Sequence, residues 1–210
     1  MLEVSNISVN FGTSEFIRRL SLELATGEIV SLVGPSGSGK TTLLRAIAGL
    51  QPLKSGRISV ASRDVTEVPT HQRGIGMVFQ DNQLFSHMSV FDNIAYALRI
   101  QHLNKATREQ RVSEMLRLIG LEGFGDRTTM QLSGGEAKRV AVARSLVAEP
   151  SVLLLDEPLT GLDGELHQRL LTDLSVLLRN RDTTVVHVTH DHNEARALSD
   201  RIVDIRSLSK

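Results

Sequence analysis

The sequence has no cysteine, no tryptophan and a single tyrosine. Without cysteine there is no disulfide and no thiolate-held metal, a composition compatible with a reducing compartment. Aromatic residues make up 3% of the chain, too few for a base-stacking platform. Neither sign of charge is in excess, since Lys+Arg and Asp+Glu both count 24. A nucleic-acid partner calls for a basic surface, so none is expected. No apolar run reaches the roughly eighteen residues that a membrane-spanning helix needs. Met1-Leu2-Glu3-Val4 lacks the basic-then-apolar order of a secretory signal. Any work at a membrane would therefore depend on other chains. What remains is ordinary globular composition, 40% hydrophobic and 23% charged over 210 residues, which suits one domain with room for a subdomain.

The most informative stretch is Gly34-Pro35-Ser36-Gly37-Ser38-Gly39-Lys40-Thr41, which fits G-x-x-x-x-G-K-[ST]. The β-branched run Ile29-Val30-Ser31-Leu32-Val33 precedes it as a buried strand, and Thr42 to Ala48 follows at helical spacing. Strand, glycine loop and helix in that order are the context a phosphate-binding loop requires. Glycines let successive N–H groups curl around an anion, and the helix N-terminus adds partial positive charge. In such a loop Lys40 reaches the β- and γ-phosphates and the Thr41 hydroxyl binds Mg²⁺. A chance Gly/Ser turn beside a lysine is the alternative, and it leaves the flanking strand and helix unexplained.

Apolar and polar residues alternate at Leu2 and Val4 and, after a break, at Ile7 and Val9, predicting a half-buried strand. Leu20, Leu22 and Leu24 alternate likewise, and Gly27 marks the turn before Ile29. Gly56 is expected to precede a strand over 57–61, and residues 75–79 form a short apolar run ending at Gln80. From Leu84 the character turns helical: residues 89–100, then 108–119 opened by Thr107 and stopped by Gly120, then 135–148. Pro150 closes that insert. Strand-like 152–155, helical 166–178, strand-like 183–188, helical 191–198 and strand-like 202–205 follow. Strands alternating with helices predict an α/β fold with a largely parallel, doubly wound sheet. Residues 1–83 and 150–210 are expected to form the core and 84–149 a helical subdomain.

Val152-Leu153-Leu154-Leu155-Asp156-Glu157 is an apolar strand ending in two acids. At the C-terminal edge of such a sheet, Asp156 is placed for Mg²⁺ and Glu157 for an attacking water. A solvated turn is the other account of two adjacent acids. Leu132-Ser133-Gly134-Gly135-Glu136 opens the helix of 137–148 and makes a second candidate anion site, although an N-cap with a glycine turn explains it locally.

In this order, with Gln80 between them, the segments resemble an ATP-binding cassette (ABC) ATPase over nearly the whole chain. Leu132 to Glu136 resembles the LSGGQ signature with Glu in the last place. Asp156-Glu157-Pro158 is similar to the Walker B end, Thr160-Gly161-Leu162-Asp163 to the D-loop, Gln80 to the Q-loop glutamine and His190 to the switch histidine. Phe11 stands where the family stacks an aromatic on adenine. The remaining histidines, His187 among them, carry no motif and are expected at the surface or in the core.

The resemblance implies a P-loop NTPase with a RecA-like core sheet, N-terminal antiparallel strands and a helical ABC subdomain. It implies a head-to-tail dimer with a second cassette subunit, ATP lying between Gly34–Thr42 of one and Ser133-Gly134-Gly135 of the other. Thr41, Gln80 and Asp156 would hold Mg²⁺, Glu157 would polarise water, His190 would contact the γ-phosphate and Asp163 would signal across the dimer. Gln80 to Val90, with Leu84, Phe85 and Met88, resembles the segment of sulfate, polyamine, thiamine and sugar importers that receives a membrane subunit, though packing within the insert accounts for those apolar residues equally well. The expected protein is an importer ATPase for a small polar solute. It would be peripheral on the cytoplasmic side of the membrane, with transmembrane permease subunits and a solute-binding protein as partners. Glu136 is also familiar in lipoprotein-release and macrolide-export cassettes, so an exporter is the alternative within transport. A non-transport cassette would show long coiled-coil insertions or two cassettes per chain, and a kinase leaves 132–136 and His190 unexplained. With the chain ending at Lys210, no C-terminal regulatory domain is expected.

Overall fold

The structure, a computed structural model, describes residues 1–11, 14–162, 164–180 and 183–208, without the side chains of Phe11, Ser14, Glu15, Leu166 and Asn180. Two compact units emerge: Met1–Met77 with Pro150–Glu157 and Leu174–Lys210, and Val78–Glu149 with Pro158–Asp173.

The first unit holds two sheets. Strands β1 (Leu2–Phe11), β2 (Ser14–Leu24), β4 (Ser55–Val60) and β5 (Arg63–Asp64) form an antiparallel sheet in the order β2-β1-β4-β5. The break in alternation before Ile7 is a real irregularity: Asn6 has φ 49° and the register shifts between Val4 and Ile7. Gly56 lies inside β4 rather than before it. Its φ is 98°, and a Cβ there would sit 2.5 Å from the Ile7 Cα, so backbone proximity to β1 explains the glycine.

The second sheet runs β6 (Ile75–Val78), β7 (Val152–Asp156), β8 (Thr184–Val188), β3 (Ile29–Val33), β9 (Arg201–Asp204), with β7, β8, β3 and β9 parallel. All five residues of β7 and of β8 are buried; β7 reads as an apolar run ending in Asp156, whereas β8 is β-branched and also buries Thr184 and His187. Register puts Leu32 beside Val188 and Val203, and Asp156 beside Val188. The residues leaving β7, β8, β3 and β9 therefore emerge along one edge. Helix α1 (Lys40–Ala48) packs Leu43, Leu44 and Ile47 into a core shared with Val30, Leu32, Leu154 and Val186. Arg73 closes its C-terminus: Nη1 donates to the Ile47 carbonyl at 3.0 Å, and the other guanidinium nitrogens bond Val68 and Thr66 carbonyls at 2.8 Å.

The second unit is helical: α2 (Val90–Ile100), α3 (Lys105–Leu118) and α4 (Gly134–Leu146). Ser89 caps α2. Asn104, not Thr107, caps α3, its carboxamide oxygen accepting the Thr107 N–H at 2.9 Å. Thr107 thus sits in the first turn, where an asparagine three residues earlier supplies the better geometry. Helix α5 (Gly164–Asn180) runs from one unit into the other, and α6 (His192–Leu198) belongs to the first.

Candidate functional site

Gly34 leaves β3 with φ 149°, and a Cβ there would meet Ile205 Cγ2 at 3.0 Å and Ser38 Oγ at 3.2 Å. The loop curls back through Ser38 N–H to Pro35 O, and Gly39, at φ 96°, opens α1. The first turn of α1 has no acidic residue and no side-chain cap, so its N–H groups are left for a ligand. Lys40 is 8% exposed, and its ammonium donates to the carbonyls of Gly34 at 2.8 Å and Pro35 at 2.9 Å. Those neutral acceptors hold a charge that an anionic oxygen would bind more strongly. Ser38 Oγ is buried with no hydrogen-bond partner among the described residues.

The Thr41 hydroxyl donates to Asp156 Oδ1 at 3.0 Å. Asp156 is 2% exposed, and burial pushes its carboxyl above the ordinary range, opposed by the Thr41 hydrogen bond and reinforced by Glu157. One hydroxyl and one buried carboxylate are hard oxygen donors suited to Mg²⁺. No cluster of three His, Cys, Asp or Glu able to hold a metal exists among the described residues. The set therefore fits an ion that takes its other ligands from phosphate and water.

Glu157 departs from strand geometry with φ 49°, its N–H donating to Val188 O at 2.9 Å. A non-glycine residue in that region is uncommon, and such residues cluster at working sites. His190 Nδ1 lies 3.4 Å from Glu157 Oε2, the imidazole 65% and the carboxylate 19% exposed. Thus Lys40, Thr41, Asp156, Glu157 and His190 gather at the C-terminal edge of one parallel sheet, where open α/β sheets bind ligands.

In the second unit Ser133 caps α4 in a reciprocal box: Glu136 N–H donates to Ser133 Oγ at 3.3 Å and Ser133 N–H to Glu136 Oε2 at 2.7 Å. The Ser133 backbone bond holds the Glu136 carboxyl below its usual range. Glutamine makes the same box, so the glutamate keeps the geometry and adds a negative charge. Gly135 packs on Leu162, where a Cβ would meet Cδ2 at 3.3 Å. Gln80 is exposed, and its carbonyl accepts Lys138 Nζ at 3.5 Å. Lys138 carries no motif in the sequence. Buried on α4, it also donates to Thr160 O at 3.0 Å, beside a cavity of about 300 Å³ lined by Gln80, Gly134 and Gly161. The available signal was a lysine three and four residues before the buried Ala141 and Val142, on the same inward face of α4. The Phe11 side chain and the whole of Asp163 lie outside the described residues.

Comparison with known proteins decides the family, because the model described as ABC transporter matches residues 17–160. The chain belongs to the ABC transporter family. It is 50% identical over 198 residues to an Fe(3+) ions import ATP-binding protein of Agrobacterium fabrum, covering 94% of this chain and 56% of that one. It is 44% identical over 207 residues to a spermidine/putrescine import ATP-binding protein of Vibrio vulnificus, covering 99% and 55%. The cassette chain thus spans little more than half the length of these curated relatives. A dimeric ATP-binding cassette solved in a post-hydrolysis state with ADP and Pi superposes with a TM-score of 0.89 at 31% identity, covering 97% of this chain and 94% of that one. The α/β cassette fold read from the sequence is the fold found.

Proposed function

We propose that this chain is the ATP-binding and ATP-hydrolysing subunit of a bacterial importer for a small polar solute. The observation that carries the reading is the edge where β3, β7 and β8 end, with Thr41 3.0 Å from Asp156 and Glu157 3.4 Å from His190. The relatives named for ferric ion and polyamine import support the direction and the class of cargo.

In this reading Gly34 to Thr42 cradle the phosphates of ATP, and Lys40 exchanges its loop carbonyls for β- and γ-phosphate oxygens. Thr41 and Asp156 would hold Mg²⁺, which would neutralise phosphate charge. Glu157 orients and deprotonates a water. Its oxygen bonds the γ-phosphorus as the bond to the β–γ bridging oxygen breaks, leaving ADP and phosphate. His190, beside Glu157, donates to the γ-phosphate. Phe11 stacks on adenine. Residues 1–83 and 150–210 act as the nucleotide-holding core and 84–149 as the arm that carries Ser133, Gly134 and Gly135 to the ATP of a second, head-to-tail subunit. Asp163 reports across that dimer.

No helix among the described residues is long and apolar enough to cross a membrane, so attachment to the cytoplasmic face falls to permease subunits. Leu84, Phe85 and Met88 offer them a half-buried apolar surface, with the Phe85 ring 4.7 Å from Tyr96. A solute-binding protein delivers the cargo. Glu136 needs no exporter to explain it, since its capping role suffices.

The test is capture of the tagged protein from detergent-solubilised membranes of its own host, with copurifying chains identified by mass spectrometry. A permease together with a solute-binding protein is expected. Ribosomes or repair proteins without a membrane subunit would overturn transport, and a permease of export type would overturn the direction.

A further inference from the structure

Behind the His190 turn lies a set of buried polar groups that the hydrolytic scheme leaves unused. Ser31, in the middle of β3, places its Oγ 2.9 Å from His187 Nδ1 on β8. His187 is fully buried, and its Nε2 lies 3.7 Å from Glu194 Oε1 on α6. A proton on Nε2 facing that carboxylate leaves Nδ1 to accept from the Ser31 hydroxyl. The other Glu194 oxygen, Oε2, accepts a hydrogen bond from the Thr189 hydroxyl. Thr189 Oγ1 in turn accepts the Asp191 N–H at 3.0 Å. Asp191 caps α6 through the N–H groups of Asn193 at 2.7 Å and Glu194 at 3.3 Å. The two residues flanking His190 are thus bonded to each other and, through Glu194 and His187, to the strand that feeds the phosphate loop.

A buried carboxylate carries a desolvation cost, and apolar side chains of similar volume would pack this space without it. The geometry gives its two oxygens a use, one toward Thr189 and one toward His187. We propose that Glu194 is the positioning residue for His190: it clamps Thr189, fixes the 189–191 turn and so holds the imidazole against Glu157, with Ser31 and His187 aligning the carboxylate from below. The proposal rests on the ATPase reading for its kinetic consequence, but not for its geometric one.

The kinetic test is a double-mutant cycle on ATP turnover. Glu194→Ala is expected to lower kcat roughly ten- to a hundred-fold, the scale on which misplaced reacting groups slow a reaction, with KM for ATP little changed. Glu194→Gln, which keeps an oxygen for the Thr189 hydroxyl, restores most of the rate. In a His190→Ala background Glu194→Ala has no further effect, because the residue it positions is gone. If Glu194→Ala does not fold, Thr189→Val takes its place in the cycle. An additive effect in the His190→Ala background, or full kcat in folded Glu194→Ala, would overturn the proposal.

A second readout needs no turnover. The NMR signals of the His190 imidazole, assigned by their loss in His190→Ala, should respond to Glu157→Gln in the wild-type background and not in Glu194→Ala. A response that persists without Glu194 contradicts the positioning role. Absence of ATPase activity in the wild type, with the NMR pattern as expected, would overturn the ATPase reading and leave this proposal standing.

Discussion

Asp156 and Glu157 are neighbours in sequence with opposed environments. Asp156 ends a fully buried strand, so its charge is disfavoured; Glu157 turns out through φ 49° to a half-open position beside His190. Before any cation binds, the ionised Asp156 is a liability to the fold. Its carboxyl is raised by burial, so the stability it contributes is present below the ordinary aspartate range and lost as pH rises through its folded value. Asp156→Asn keeps an acceptor for Thr41 and removes the charge. It should raise the melting temperature of the nucleotide-free protein at neutral pH, by about 2–4 °C for each kcal/mol relieved. The gain should shrink toward pH 4, while Mg-dependent ATP turnover is lost. Calorimetry across pH checks the first part and phosphate release the second. A lower melting temperature at neutral pH would show that Asp156 is stabilising as a charge.

At the scale of elements, strands and helices were largely legible because their burial patterns are simple. β3 and β7 are buried and read as mainly apolar runs, β8 reads as a β-branched one, and α2 and α3 carry apolar residues at helical spacing. What escaped was decided by partners distant in sequence. Gly56 read as a turn before a strand, yet it sits within β4 because β1 bulges against it at Asn6 and Ile7. Arg73 carried no local signal, and its role depends on the α1 carbonyls some 27 residues away. His187 gave nothing beyond surface or core until Ser31 and Glu194 appeared beside it. The loop between β3 and α1, by contrast, stands where the sequence places it, since its turn is set by its own glycines. Gly56→Ala tests the strand account: a side chain at φ 98° pressed into the β1 backbone should cost about 2 kcal/mol or more in a denaturant titration. A change within about 0.5 kcal/mol, ordinary for an unconstrained surface site, would show that β1 gives way.

For the whole molecule, the proposed function is that of a cassette that closes on ATP with a second copy or a sister subunit and opens on hydrolysis, a population shift driven by ligand. The signature box at Ser133–Glu136 is intact within its own unit, and the phosphate site within the other. Slowing the chemical step without weakening binding should therefore accumulate the closed form. Glu157→Gln does that, since the amide keeps the shape and loses the base. In light scattering its mass should double with Mg-ATP and return to the monomer value with ADP, and a monomer throughout would count against head-to-tail closure.

The central claim is hydrolysis of ATP at the edge that gathers Lys40, Thr41, Asp156, Glu157 and His190. The measurement that tests it most directly is phosphate release from Mg-ATP by wild type beside Glu157→Gln, at nucleotide concentrations that fill both sites. The account predicts steady release by the wild type, and a fall of roughly a hundred-fold or more in the variant at near-normal ATP affinity, the scale of a lost general base. Equal release by the two proteins, or delivery of the γ-phosphoryl group to a small acceptor instead of water, would contradict it.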